Sequence, residues 1–327
     1  MISTEIVLLS ISFIIAVILG ILIIPILRKM KVGQIEREDG PKSHLKKQGT
    51  PTMGGIIIII SMIITLTGTY VYQIMQGKEE IAQKIIPILV LTIGFGLIGF
   101  IDDFKKLVLK KTDGLKPKYK MLGLLIISTL YVIYLVYGLQ NGTDTLIPII
   151  KGYINIPIYI YIPFAIVVIL GTTNAVNLTD GIDGLSSSVC AIIISSLAII
   201  AMQIGVPEVS LFASSLVGIV LGFLMFNLHP AKVFMGDTGS LLLGGVISAL
   251  ALYLKMPLIL LVIALIPVLE TLSVIMQVAY YKKTGNRIFK MAPLHHHYEL
   301  SGWKENKVVI VFSVITFLLC TIGICMV

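Results

Sequence analysis

The feature that most constrains the fold of this chain is a series of ten apolar stretches. Each is near the roughly 20 residues that an α-helix needs to cross a lipid bilayer. The stretches lie at approximately 3–27, 52–72, 85–103, 119–138, 158–176, 185–204, 208–228, 239–254, 257–281 and 306–326. Only 13% of the 327 residues are charged, about half the share found in soluble domains. The sequence therefore predicts an all-α polytopic membrane protein, with residues 1–327 forming a single integral membrane domain.

Lysine and arginine residues are concentrated in alternate loops. If the N-terminus lies outside the cell, the loops after the odd-numbered stretches hold 21 of the 25. Positive residues accumulate in cytoplasmic loops, so we expect both termini outside. Confinement of the charge to these loops argues against nucleic acid as a partner, although the net charge is +8. Segment 139–157, an outside loop in this topology, alternates isoleucine, tyrosine and proline and predicts a short β-hairpin.

Paired carboxylates end the third stretch and are followed directly by lysines. Asp102, Lys106 and Lys110 are spaced four residues apart, so they share one face if the helix continues. Carboxylates such as Asp102 and Asp103 can hold a divalent cation, and lysines can bind phosphate. The pattern predicts phosphoryl chemistry at a membrane surface.

A run of polar residues follows the fifth stretch. These residues recur every three positions, at Asn174, Asn177, Asp180 and Asp183. At a helical end they would line one side and face one ligand. A solvated turn with side-chain caps is the alternative, although such a turn needs fewer polar residues in register. We therefore expect a ligand site on the cytoplasmic side.

A further carboxylate, Asp237, precedes the eighth stretch. Taken alone it can be an N-cap, but beside Asp102 and Asp103 it favours a divalent metal site. Mg²⁺ suits a phosphate substrate because it binds one or two carboxylates together with phosphate oxygens and water. Zinc is less favoured, since these loops contain no cysteine and the histidines are consecutive.

The last large loop contains three consecutive histidines, His295, His296 and His297. Their ring nitrogens can donate to phosphate or to a nucleotide. A metal site and a structural cluster are the alternatives.

The ninth stretch contains Pro267 and Glu270 among apolar residues. A proline there kinks or breaks the helix, and a carboxylate at membrane depth is costly and usually functional. We expect a bent helix that opens a groove to the bilayer. The alternative for Glu270 is a pairing with a neighbouring helix.

Six motifs resemble those of the polyprenyl-phosphate N-acetylhexosamine-1-phosphate transferase superfamily, and the resemblance covers essentially the whole chain. Within the superfamily the chain is similar to the phospho-N-acetylmuramoyl-pentapeptide transferase family, whose uninterrupted histidine motif differs from that of the hexosamine branch. The motifs are Lys42-Ser-His44, Gly49–Gly55, Asp102-Asp103, Asn177–Leu185, Phe234–Ser240 and Ala292–Glu299.

The resemblance implies an Mg²⁺-dependent transfer of phospho-MurNAc-pentapeptide from UDP-MurNAc-pentapeptide to undecaprenyl phosphate. The products are UMP and undecaprenyl-diphospho-MurNAc-pentapeptide (lipid I), an intermediate of peptidoglycan synthesis. It also implies a ten-helix homodimer among the lipids of the bacterial plasma membrane, with its active site facing the cytoplasm. Two alternatives stay open: a sister enzyme that uses UDP-GlcNAc, and a transporter with a cytoplasmic anion site.

The resemblance further implies roles for individual residues. Asp237 matches the magnesium ligand, and Asp102 and Asp103 match an essential acidic pair at the metal and the lipid phosphate. The positions that neutralise phosphates are Lys106, Lys110 and Lys118. The nucleoside and sugar-phosphate region comprises Asn177, Asp180, Asp183, Asn227, Phe234, Gly236 and Gln277, and Asn174 joins it by register alone. The substrate-facing histidines are His295, His296 and His297, with a catalytic role for His296. The lipid groove at Pro267 and Glu270 rests on the sequence pattern of the ninth stretch and not on the resemblance.

Overall fold

Helices make up nearly all of the regular structure. The computed structural model describes residues 3–30, 49–107, 109 and 114–327. The helices are α1 (Thr4–Lys29), α2 (Gly55–Met75), α3 (Glu79–Leu107), α4 (Pro117–Ile133), α5 (Ile158–Thr179), α6 (Leu185–Gln203), α7 (Pro207–Asn227), α8 (Gly236–Tyr253), α9 (Leu260–Ile263), α10 (Leu265–Thr284), α11 (Leu294–Glu299) and α12 (Glu305–Cys325). A π-helical turn, Tyr134–Gly138, extends α4, and a 3₁₀ turn, Pro257–Ile259, precedes α9. One hairpin contains β1 (Asp144–Ile147) and β2 (Gly152–Asn155).

Most of these helices have the length and composition of membrane spans. Within the described ranges nine helices qualify singly, and the segment Pro257–Ile263 with α10, bent by 83° at a short break, brings the number to ten when the pair is counted as one span. Their positions agree with the ten apolar stretches. The prediction of an all-α polytopic membrane protein is therefore confirmed.

The break in the ninth span lies just before a proline. α9 ends at Ile263, and α10 begins at Leu265 with Pro267 in its first turn. Because proline has no N–H, the carbonyl oxygen of Ile263, four residues earlier, lacks its helical donor. The thiol of Cys320 on α12 lies 3.7 Å from that oxygen and donates to it. The predicted break is thus present, and a neighbouring helix partly compensates for the lost hydrogen bond.

α8 forms the centre of the bundle. In its most apolar window 89% of the residues are buried, against 17% in α1. Two glycines let other helices approach its first turn: a Cβ on Gly99 of α3 would clash with the carbonyl of Asp237, and one on Gly55 of α2 with the backbone of Gly239. Such close approach is typical of small residues between membrane helices. It brings the ends of α2 and α3 against the residue that the sequence predicts as a metal ligand.

The segment after α4 forms the predicted β-hairpin. β1 and β2 pair antiparallel, with Asp144 opposite Asn155. The amide of Leu146 donates to the carbonyl oxygen of Lys255 (2.8 Å), just beyond the C-terminal end of α8. Since α8 has 18 residues, its axis is about 27 Å long. The hairpin and Asp237 therefore lie at opposite ends of this span.

Candidate active site

The carboxylate of Asp103 fixes the start of α8. Its Oδ1 accepts from the backbone amide of Asp237 (3.2 Å), and its Oδ2 accepts from the amide (2.9 Å) and the hydroxyl (2.6 Å) of Thr238. A carboxylate in this place satisfies amides that have no helical partner and interacts favourably with the helix dipole. Asp103 is only 5% exposed, so this contact joins α3 to α8 and sets the position of Asp237.

The side chain of Asp237 receives contacts from three other helices. Its Oδ2 lies 3.0 Å from Nζ of Lys106 on α3 and 2.9 Å from Nζ of Lys120 on α4. Its Oδ1 accepts from Nδ2 of Asn177 on α5 (2.7 Å). The same amide group donates to the hydroxyl of Ser240 (2.8 Å). Four membrane helices therefore meet at this carboxylate.

Asp102 shares both lysines with Asp237. Its Oδ2 lies 2.8 Å from Nζ of Lys106 and 3.5 Å from Nζ of Lys120. Its Oδ1 accepts from the amide of Leu115 (2.6 Å). We call these four charged residues, Asp102, Lys106, Lys120 and Asp237, the carboxylate–lysine cluster. It offers acidic oxygens to a cation and ammonium groups to phosphate.

A divalent cation fits two of the three predicted carboxylate ligands. The Oδ2 atoms of Asp102 and Asp237 face the same two ammonium groups, so they border one space. Mg²⁺ commonly uses one or two carboxylates and completes its octahedron with phosphate oxygens and water. Both oxygens of Asp103 instead accept from the first turn of α8. Asp103 therefore positions α8, and its predicted role as a metal ligand stays a prediction.

Asp180 lies one residue beyond the end of α5, beside the same carboxylates. Burial raises the pKa of its carboxyl to about 8, and the negative charges of Asp237 and Asp103 act in the same direction, while a hydrogen bond from the Gly236 amide opposes them. A bound cation favours the ionised form of a nearby carboxyl. The raised pKa thus marks a crowded acidic region that a divalent cation would stabilise.

Lys118 points away from the cluster. Its side chain is exposed, and its Nζ lies 5.0 Å from the centre of the Tyr119 ring. Residues two apart on a helix are separated by about 200° around its axis, so Lys118 and Lys120 of α4 cannot both face Asp237. Lys120 rather than Lys118 contacts the carboxylates in this structure, and phosphate binding by Lys118 stays a prediction. Lys110 lies outside the described residues.

Three amide side chains predicted to bind substrate form hydrogen bonds with the protein backbone. Nδ2 of Asn174 donates to a carbonyl one turn earlier in α5 (2.7 Å). Asn227 is buried, and its Nδ2 donates to the carbonyl of Val233 (3.0 Å). Oε1 of Gln277 accepts from the amide of Phe289 (3.0 Å). Asn227 and Gln277 thus stabilise loops around the site and Asn174 contacts its own helix, and direct substrate contact by these side chains stays a prediction.

Phe234 lies on the loop that leads into α8, and Gly236 is the first residue of that helix. The amide of Phe234 donates to the carbonyl of Pro51 (2.8 Å), and the amide of Gly54 donates to the carbonyl of Phe234 (2.8 Å). Gly236 has a φ of +73°, and a Cβ there would lie 2.7 Å from Oδ2 of Asp103. Glycine adopts this backbone at little cost and leaves room for the carboxylate. The loop therefore pairs with the segment before α2 and delivers Asp237 to the cluster.

Asp183 belongs to a second polar cluster. Nδ1 of His229 lies 3.0 Å from Oδ2 of Asp183 and 3.3 Å from Oε2 of Glu305. The amide of Asp183 donates to Oε1 of Glu305 (2.6 Å). The three side chains have the spacing of a small metal site, but a ring nitrogen within hydrogen-bonding distance of both carboxylates is typical of a hydrogen-bonded cluster. Asp183 is 3% exposed, so its carboxylate makes these contacts in the protein interior.

The first of the three histidines is buried against Glu270. Both side chains are fully buried, and Nδ1 of His295 lies 3.2 Å from Oε2 of Glu270. The amide of His295 also donates to Oε1 of Glu270 (3.2 Å). The His295 ring lies directly against Gly181, where a Cβ would clash with it. Glu270 is thus paired with a neighbouring segment, which is the alternative given above, and its assignment to a lipid groove stays a prediction.

The other two histidines are oriented through Nδ1. Nδ1 of His296 lies 3.0 Å from Oε2 of Glu299, one turn later in α11. Nδ1 of His297 accepts from the amide of Lys290 (3.2 Å). These contacts fix the two rings, and a substrate-facing role for His296 and His297 stays a prediction.

An apolar groove of about 210 Å³ lies between α5 and the bent ninth span. Pro267, Val167 and Leu261 are among the residues that line it. Val167 and Leu261 are well exposed on the protein surface, where a membrane helix meets lipid. A groove is therefore present beside the bend at Pro267, and its role in binding lipid stays a prediction.

This chain is similar to known proteins at two levels, a broad class of glycosyl transferases and one family within it. Residues 85–255, more than half of the chain, match glycosyl transferase family 4, so the chain is a member of that class. Residues 47–59 match signature 1 of phospho-N-acetylmuramoyl-pentapeptide-transferase. A protein of that name from Clostridium perfringens is 50% identical over 313 residues, covering 96% of this chain and 95% of the relative. One from Acetivibrio thermocellus is 47% identical over 324 residues, covering 98% and 95%. The chain belongs to the phospho-N-acetylmuramoyl-pentapeptide-transferase family.

Four residues that shape the site were not predicted from the sequence: Lys120, Thr238, His229 and Glu305. Lys120 could have been found from the sequence. A proline such as Pro117 favours the first position of a helix, and a helix that begins there determines which of the following lysines share a face. Thr238 and Glu305 resemble ordinary first-turn residues. Their partners, Asp103 in α3 for Thr238 and two loop residues for Glu305, are distant in sequence, so no local pattern predicts them.

Proposed function

We propose that this chain transfers phospho-MurNAc-pentapeptide from UDP-MurNAc-pentapeptide to undecaprenyl phosphate, giving lipid I and UMP in peptidoglycan synthesis. The observation that carries the proposal is the carboxylate–lysine cluster, where two acids and two lysines from three helices meet at one end of the bundle. Transfer between two phosphates needs mainly alignment and neutralisation of charge. The cluster supplies both.

We assign the metal to Asp237 and Asp102, with Mg²⁺ as the ion. When bound, Mg²⁺ neutralises the diphosphate and the UMP that leaves. Lys106 and Lys120 contact the carboxylates in the structure, and they are placed to turn towards phosphate oxygens once a cation binds the acids. Asn177 holds Oδ1 of Asp237 (2.7 Å) and keeps its other oxygen directed at the reacting groups.

We favour direct attack by the lipid phosphate on the β-phosphate of the nucleotide. A phosphate oxygen of the lipid forms the new P–O bond, and the bond to UMP breaks. A two-step route would need an aspartate as nucleophile. The oxygens of Asp103 are taken up by the first turn of α8, which argues against that role. Asp102, beside the lysines, is suited to orient the lipid phosphate.

UMP release tests both the reaction and its route. We expect purified protein to release UMP from UDP-MurNAc-pentapeptide only when undecaprenyl phosphate and Mg²⁺ are both present. A burst of UMP close to one per active site without the lipid would contradict direct attack and indicate a phospho-aspartate. No UMP under any condition would contradict the proposed reaction.

We place the lipid tail in the apolar groove at Pro267. The groove is lined by apolar side chains of α5 and of the bent span, with Val167 and Leu261 facing outwards. A polyprenyl chain there would exchange contacts with lipid tails for van der Waals packing against these side chains. Crosslinking of a photoreactive polyprenyl phosphate to this groove, and not to the exposed face of α1, is the expected result.

We propose a plasma-membrane protein with the cluster facing the cytoplasm and the hairpin outside. The support is the charge bias of the loops together with the separation of Asp237 and the hairpin along α8. In a background with the native cysteines replaced, Lys116→Cys and Asn286→Cys should react only with reagents that reach the cytoplasm. Ile150→Cys, at the exposed hairpin turn, should react only from outside. Labelling of the hairpin from the cytoplasm would reverse the topology and the side of the site.

We further propose a homodimer, which the family resemblance supports. Light scattering of the detergent-purified protein should give twice the mass of one 35.7 kDa chain. A monomer mass in mild detergent and in nanodiscs would contradict it.

A further inference from the structure

Three distant segments are tied together by the second polar cluster, which we call the clasp: Asp183, His229 and Glu305. Asp183 lies between α5 and α6, His229 between α7 and α8, and Glu305 is the first residue of α12. Glu305 spans the other two, since Oε1 accepts from the amide of Asp183 (2.6 Å) and Oε2 lies 3.3 Å from Nδ1 of His229. None of these contacts is made by a neighbour in sequence, so the clasp fixes tertiary structure.

The clasp grips the beginning of the loop that leads into α8. Oδ2 of Asp183 lies 3.0 Å from Nδ1 of His229 and also accepts from the amide of Ala231 (3.0 Å). The same loop continues through Phe234 to Asp237. Its far end is held by the segment before α2 and by the carboxylate of Asp103. The near end is therefore held by the clasp together with the bonds that Asn227 and Phe226 make to Val233 and Lys232.

The contact is made through one ring nitrogen of His229. Nδ1 lies within hydrogen-bonding distance of both carboxylates, whereas the side chain as a whole is 40% exposed. A carboxylate accepts and does not donate when ionised, so Nδ1 is the donor in this arrangement. The function of the ring is thus to present one N–H to Asp183 and Glu305.

We propose that His229 and Glu305 are positioning residues for the transfer reaction. They hold the loop from 228 to 235 so that Phe234 and Asp237 are correctly placed, and they act without contacting the substrate. The inference rests on the proposed function. Displacement of reacting groups by about 1 Å can lower a rate by about 100-fold, so loss of the clasp should reduce turnover while the protein stays folded.

The test exploits the shape of amide side chains. In His229→Asn the amide N–H falls near the position of Nδ1, whereas in His229→Gln it falls near that of Nε2. We expect kcat/KM for UMP release to fall about tenfold or more in His229→Ala and His229→Gln, the scale of a lost hydrogen bond to a charged group. His229→Asn should exceed His229→Gln at least about fivefold. Lys232→Ala, an exposed change in the same loop, is the matched control.

Hydrogen exchange of the peptide covering 228–235 gives a readout that does not need activity. Exchange should quicken in His229→Ala and His229→Gln and stay near the wild-type rate in His229→Asn. Unchanged exchange and turnover in His229→Ala would overturn the inference. Greater activity of His229→Gln than of His229→Asn would overturn it too, because it would assign the function to Nε2. If wild-type protein releases no UMP, the proposed function fails, and hydrogen exchange still tests the clasp.

Discussion

Asp237→Asn is expected to lower turnover by at least about 100-fold, the scale of a lost electrostatic contact in a transition state. The substitution keeps the size of the side chain and removes the charge that faces Lys106 and Lys120. It also replaces a hard anionic ligand by a neutral amide, which binds Mg²⁺ weakly. The measurement is the rate of UMP release across a range of Mg²⁺ concentrations.

Asp144→Asn is the matched control for this substitution. Asp144 is an exposed carboxylate on the hairpin, 3.5 Å from Lys255 and at the opposite end of α8 from Asp237. We expect near-normal turnover for it, and a thermal midpoint near that of the wild type for both variants. Turnover of Asp237→Asn within about threefold of wild type at ordinary Mg²⁺ would remove Asp237 from the reaction.

Lys120→Met is expected to lower turnover by about 10- to 100-fold, the scale of a lost hydrogen bond between charged groups. Lys120 contacts Asp102 and Asp237, so its loss removes a positive charge from the place where we expect the phosphates. Lys118→Met makes the same chemical change two residues earlier on α4, where the side chain faces solvent. Its turnover should stay close to that of the wild type.

The two lysine variants together decide which lysine belongs to the site. A large loss with Lys118→Met and a small one with Lys120→Met would contradict the arrangement of the cluster. Turnover of both variants should be measured at low and high salt. Salt is varied because a contact between charged groups at the protein surface weakens as the salt concentration rises.

The membrane architecture could be predicted from the sequence because lipid leaves few solutions. A backbone at membrane depth must satisfy its own hydrogen bonds, so each apolar stretch becomes a helix. The break before Pro267 could be predicted too, because proline lacks the N–H that a continuous helix needs. The hairpin was predicted by its alternating pattern. These features depend on local chemistry that the sequence states directly.

The convergence of Asp102 and Asp237 was also predictable. Each lies at the end of an apolar stretch, and the charge bias assigns both ends to one side of the membrane. What these residues touch was not predictable. An aspartate that ligates a metal and an aspartate that caps a helix in another part of the chain, as Asp103 does for α8, have the same sequence signature.

Amide and histidine side chains were the least predictable part of the site. Asn227 and Gln277 lie near the loops of the site, but their donors and acceptors are bonded to backbone groups and, for Oδ1 of Asn227, to the hydroxyl of Ser187. Glu270 and His295 are 25 residues apart and pair in the interior. The partner of each of these side chains depends on packing between distant segments, and this packing cannot be predicted from a single sequence.

The most direct test of the proposed reaction is a pair of turnover assays on the wild-type protein in nanodiscs. One assay supplies UDP-MurNAc-pentapeptide and the other UDP-GlcNAc, each with undecaprenyl phosphate and Mg²⁺. We predict UMP release with the muramoyl substrate and a rate at least about 100-fold lower with UDP-GlcNAc, because the shared uridine diphosphate alone does not complete the substrate contacts. Efficient turnover of UDP-GlcNAc with no turnover of the muramoyl substrate would contradict the proposed reaction.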